Sequence, residues 1–86
     1  MEKRIGSVLI LVKSRDYIGE LNAILNKHAF IIIGRQGLQL QNRKINIISL
    51  IIEGTTDEIG SLTGQLGRLN GIQVKSVVLK YEKTEE

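Results

Sequence analysis

The chain reads as two copies of one unit. Displacing the sequence by 40 residues lays Ile5, Val8, Ile10 and Val12 on Ile45, Ile48, Leu50 and Ile52. A displacement of 41 lays Ile18, Leu21, Leu25 and His28 on Ile59, Leu62, Leu66 and Leu69. Each copy therefore opens with an aliphatic strand-like run and continues with apolar residues at helical spacing. Such a repeat restricts the chain to folds in which a strand-helix-strand unit occurs twice.

The remaining signals place the elements. Ile5 to Lys13 predicts the first strand, and Ser14 or Asp16 caps a helix over about Asp16 to His28. Phe30 to Ile33 predicts a second strand ending in Gly34-Arg35-Gln36-Gly37, and Ile45 to Ile52 a third. The polar Gln41-Asn42-Arg43-Lys44 joins these two as a hairpin. Thr55 and Glu58 stand at capping-box spacing before the second helix, Asn70-Gly71 stops it, and Ile72 to Tyr81 is the last strand. Residues 1–81 thus form one domain, followed by a charged, disordered tail at 82–86. The order strand, helix, strand, strand, helix, strand predicts an α+β fold, the ferredoxin-like βαββαβ arrangement: a four-stranded antiparallel sheet with two helices on one face. An all-parallel sheet would need a helix between Gly37 and Ile45, and too few residues lie there to supply one.

Side-chain alternation divides the sheet. Val8, Ile10, Val12, Ile48, Leu50 and Ile52 should face the helices, which leaves Leu9, Leu11, Ile47 and Ile51 on the other side, beside Ile31 and Ile33. Two helices cannot cover both faces, and so aliphatic an open face predicts an interface between subunits of a homo-oligomer, a dimer or a tetramer. Composition agrees. With no Cys, no Pro and no Trp, a chain of 86 residues that is 42% hydrophobic cannot rely on disulfides or thiolate metal sites, and a partner subunit is the remaining reinforcement.

Chemistry has little footing. There is one His, no Cys and no pair of carboxylates that regular structure would bring together except neighbours at a helix start, and a lone imidazole is too few donors for a metal, so the sequence predicts no catalytic residues, no metal and no cofactor. His28 takes the place of a core leucine in the repeat. Gly60, Gly64, Gly67 and Gly71 recur along the second helix, a stripe expected to meet a neighbouring helix or a second subunit. The candidate ligand-binding residues are Ser14, Arg15 and Asp16, at a helix start, with Gly34, Arg35 and Gly37, where glycines permit a bulge or positive φ that offers backbone amides to an anion. No acidic residue lies between Glu20 and Glu53, a stretch that carries Lys27, Arg35, Arg43 and Lys44. That basic middle admits a small anionic metabolite, or nucleic acid held by the 35–44 hairpin. An RNA-binding sheet of this kind would need exposed stacking aromatics, and the open face offers aliphatics instead. No long apolar run or signal-peptide pattern is present, which predicts a cytoplasmic protein without a membrane partner.

Ile32-Ile33-Gly34-Arg35-Gln36-Gly37, Ile45-Asn46-Ile47-Ile48-Ser49-Leu50 and the run from Ser61 through Thr63-Gly64-Gln65-Leu66-Gly67 to Gly71-Ile72-Gln73-Val74-Lys75 resemble the iron-only hydrogenase system regulators over nearly the whole chain to Lys80. The resemblance implies an ACT-like version of the fold, similar to the C-terminal domain of the nickel-responsive repressor. It implies a non-enzymatic regulator that binds a small ligand or a protein partner at its subunit interface. The repressor's nickel chemistry is not carried over, because one His and no Cys cannot rebuild that site.

Overall fold

A computed structural model describes residues 2–80. The strands are β1 (Arg4–Val12), β2 (Ile32–Leu40), β3 (Ile45–Gly54) and β4 (Ile72–Leu79), and the helices are α1 (Ile18–Lys27) and α2 (Thr56–Gly67). They form one four-stranded antiparallel sheet in the order β2-β3-β1-β4, the ferredoxin-like topology that the repeat predicts. The expected tail at 82–86, and Tyr81 at the expected end of the last strand, lie outside the described residues.

Burial follows the period-two alternation. Val8, Ile10, Val12, Leu50 and Ile52 turn inward from the sheet to meet Leu21 and Leu25 of α1 and Ile59, Leu62 and Leu66 of α2. Each such aliphatic side chain contributes about 1.5–3 kcal/mol when fully buried, so this single layer supplies most of the cohesion of a chain without disulfides.

The ends of the helices show local chemistry at work. Thr55 Oγ1 accepts from the Glu58 amide and the Glu58 carboxylate accepts from the Thr55 amide, which completes the capping box of α2. The second helix stops earlier than the sequence suggests, at Gly67 with Arg68 as its cap, and Gly71, with φ +74°, closes the following turn into β4, where a Cβ would stand 2.7 Å from the Ser14 Cβ. The first helix begins later than the sequence suggests. Ser14 caps a 3-10 turn at Arg15–Tyr17, its hydroxyl accepting from the Asp16 amide, and α1 itself starts at Ile18. His28 is buried at the C-terminal end of α1, as the repeat predicts. Its Nδ1 donates to the Ile24 carbonyl at 2.7 Å, and its Nε2 lies 3.1 Å from Ser61 Oγ on α2.

The second strand departs from the prediction at both ends. Residues Ala29–Ile31 form a 3-10 turn that sends Ile31 into the core, and the strand begins at Ile32. It then runs through Gly34-Arg35-Gln36-Gly37 to Leu40, so those glycines are mid-strand. They have no positive φ. The expected bulge does exist, one residue earlier: Ile32 pairs with Ile52 and Gly34 with Ile51, leaving Ile33 as the extra residue.

Candidate functional site

That extra residue decides which side chains of β2 face the helices. Side chains alternate strictly along a strand, so one inserted residue exchanges the two faces for everything beyond it. After Ile33, Arg35 pairs with Leu50 and Gly37 with Ile48, both helix-side positions of β3. Without the bulge, Arg35 would face the open side.

Neither helix covers this stretch. Among the described residues α2 packs against β3 and β4, and α1 against α2, with no comparable contact between α1 and β2. The gap is a cleft of about 290 Å³, close to the lower bound of about 300 Å³ for small-molecule sites. Its floor is aliphatic, from Val12 and Ile48 of the sheet and Ile18 of α1. Its polar rim is Asn22, one turn after Ile18, with Arg35 and Gln39 of β2 and Asn46 of β3. Among the described residues Arg35 is the only charged one lining it. Gly37 lies between Arg35 and Gln39, and a Cβ built on it meets nothing within 4 Å.

Of the sequence-predicted ligand residues, the structure therefore brings Arg35 and Gly37 together and leaves the others apart. Gly34 is on the opposite face, beside Ile51. Ser14 packs against Gly71 at the start of β4, across the sheet from β2, with Lys13 donating its amide to the Gly71 carbonyl at 2.8 Å. Arg15 and Asp16 are exposed in the 3-10 turn. Sequence reasoning missed Asn22, Gln39 and Asn46. The signal that could have found them was the alternation of Arg35, Gly37 and Gln39, legible only once the bulge is known.

The open face is a second candidate. It presents Leu9 and Ile51, which are exposed, and Leu11 and Ile47, which are half-buried. Leu38 and Leu40 of β2 and Val77 and Leu79 of β4 extend it to both edges of the sheet. Ile31 is not part of this patch, because the 3-10 turn buries it. Leu9, Leu11, Gln73 and Lys75 surround a shallow cavity of about 140 Å³ on this side. The glycines of α2 are bare: among the described residues, Cβ atoms on Gly60, Gly64 and Gly67 would meet nothing within 4 Å, so neither α1 nor the sheet packs on them. Among the described residues no three His, Cys, Asp or Glu side chains group as metal ligands, and no helix is long and apolar enough to cross a membrane.

The sequence pattern of the TM1266-like proteins, described as iron-only hydrogenase system regulators, matches residues 4–76. The chain belongs to that family. Its fold is closely similar to the solved structure of the family's TM1266 from Thermotoga maritima, with a TM-score of 0.86 and 32% identity over 92% of this chain and 100% of that one. A protein from Galdieria sulphuraria shares the fold alone, at a TM-score of 0.62 and 10% identity over 95% of this chain and 48% of that one. No curated protein sequence matches this member of the TM1266-like family significantly.

Proposed function

We infer that the chain is a non-enzymatic sensor subunit of an iron-only hydrogenase system regulator, which forms a homo-oligomer through its open sheet face and couples a small ligand or protein partner to that interface. The family's description supports the regulatory role, and the observation that carries the mechanism is the open face. Leu9 at 53%, Val77 at 65% and Leu79 at 63% exposed are large aliphatics on a surface that spans all four strands. Soluble monomers rarely leave a contiguous apolar patch of that kind uncovered. A second copy is the fitting occupant. The strand positions on this side hold one acid, Glu53, and one base, Lys75, so two identical faces meet without net repulsion. The non-enzymatic reading is supported by the single His, whose Nδ1 is taken by the Ile24 carbonyl of its own helix and whose Nε2 is taken by Ser61 of α2.

Light scattering tests the assembly. Wild type is expected to be oligomeric, and Leu11→Lys with Ile47→Lys to yield monomers or unfolded chain. The single change Val77→Lys, on an exposed edge position, is expected to weaken association with the fold intact. Unchanged, folded oligomers in both variants would place the subunit contact elsewhere.

A second reading, direct binding of nucleic acid by the basic 35–44 hairpin, draws on Arg43 and Lys44 at the exposed β2–β3 turn. Affinity for duplex DNA that falls steeply with salt would favour it.

A further inference from the structure

We propose that the cleft between α1 and β2 binds a small carboxylate that also carries an amide or similar hydrogen-bonding group on a short apolar frame. This rests on the sensor reading above and names the ligand class and the place where it binds.

The ligand class follows from the rim. Arg35 presents a planar fork of donors that matches a carboxylate in bidentate fashion. Among the described residues it is the only cation lining the cleft and no acid lines it, so these residues give the cleft a single positive charge. One charge balances a monoanion, whereas a doubly charged phosphate would leave charge uncompensated. The other polar groups, Asn22, Gln39 and Asn46, are all carboxamides. Each offers donors and an acceptor. Three neutral amides around one guanidinium suit a molecule with mixed donors and acceptors, and an aliphatic floor accepts the carbon frame between them.

The empty space at Gly37 is the second observation. Glycine weakens a strand interior, and here no neighbouring atom comes close enough to require it. Any side chain at 37 would project from the helix-side face of β2, between Arg35 and Gln39, into the cleft. The bare backbone keeps the site open.

The experiment is a titration of isotope-labelled protein followed by amide NMR. The probes are the monoanions N-acetylglycine, glutaramate and succinamate, with acetamide and inorganic phosphate as controls for the amide and the charge alone. The expected result is that at least one carboxylate probe shifts the side-chain amide signals of Asn22, Gln39 and Asn46 and the backbone amide of Gly37, and that neither control does so at the same concentration. Arg35→Ala and Gly37→Val should each weaken that binding at least about tenfold. Gly37→Val should do so while melting no lower than wild type, because valine suits a strand and meets open space. No shifts with any carboxylate, shifts confined to other residues, equal binding by phosphate, or full binding by Gly37→Val would each overturn the proposal. The outcome is separable from that of the sensor reading. A monomeric wild type that still binds the probe in the cleft removes the oligomer and keeps the site, and an oligomer that binds none of them removes the site alone.

Discussion

In the second half of the repeat α2 packs against its own edge strand, and Ile72 and Val74 of β4 join the core. In the first half α1 leaves Arg35, Gly37 and Gln39 of β2 bare at the corresponding helix-side positions. The strands sit at opposite edges of one sheet and descend from the same repeated pattern. One residue, Ile33, shifts the register of β2, so that Arg35, Gly37 and Gln39, rather than Gly34, Gln36 and Leu38, stand opposite Leu50, Ile48 and Asn46. A duplicated unit thus keeps a common core while a single insertion decides which side chains of one edge strand line the cleft.

The sharpest test of that shared core uses Leu21 and Leu62, equivalent positions on α1 and α2 and both fully buried. Leu21→Ala and Leu62→Ala should each cost about 2–5 kcal/mol in denaturant unfolding. If Leu21→Ala cost less than about 1 kcal/mol while Leu62→Ala kept its full effect, the first helix would stand outside the cooperative unit and the halves would differ in more than their edges. The helix starts come next. Thr55→Ala removes the hydroxyl of a complete capping box and should cost about 1 kcal/mol, measurable as a lower melting temperature. Ser14→Ala removes one exposed bond at a three-residue turn and should cost less. Equal losses would show that the 3-10 turn anchors α1 as firmly as the box anchors α2. The smallest effect is a gain. Gly64→Ala should stabilise the protein by up to about 1 kcal/mol, because the new methyl meets open space on α2. Loss of assembly instead, seen by sedimentation, would place a subunit contact on the helix of the second half.

Much of this architecture is legible in the sequence, because an internal repeat reports topology and alternation reports faces. Val8, Ile10 and Val12 could be assigned to the core and Leu9 to the open side from spacing alone, and Thr55, Glu58 and Gly71 carry their own local chemistry. Strand β2 is where the reading stops. Its residues Gly34 to Gly37 resemble a turn, since an edge strand pairs on one side only and needs few aliphatics to hold it. The bulge leaves no mark in composition: Ile31, Ile32 and Ile33 are identical residues with three different fates, one in the core, one half-buried in the strand and one in the bulge. The cleft was illegible for the same reason. It depends on register and on where α1 ends up, not on any one residue type.

His28 has a further meaning for a protein built so uniformly. A core of Leu, Ile and Val fills space well, yet its pieces are nearly interchangeable, and helices packed through such side chains can slide or rotate at small energetic cost. Gln65 donates to Ser61 at 3.0 Å, Ser61 meets His28, and His28 donates to Ile24, a chain that runs from one helix to the other. A hydrogen bond is directional where an aliphatic contact is not, and a misaligned helix pair would leave the buried Nε2 of His28 without its Ser61 partner. The single histidine therefore acts as a key that admits one alignment of α1 against α2, giving a uniquely ordered native state to a sequence whose apolar residues alone would tolerate several.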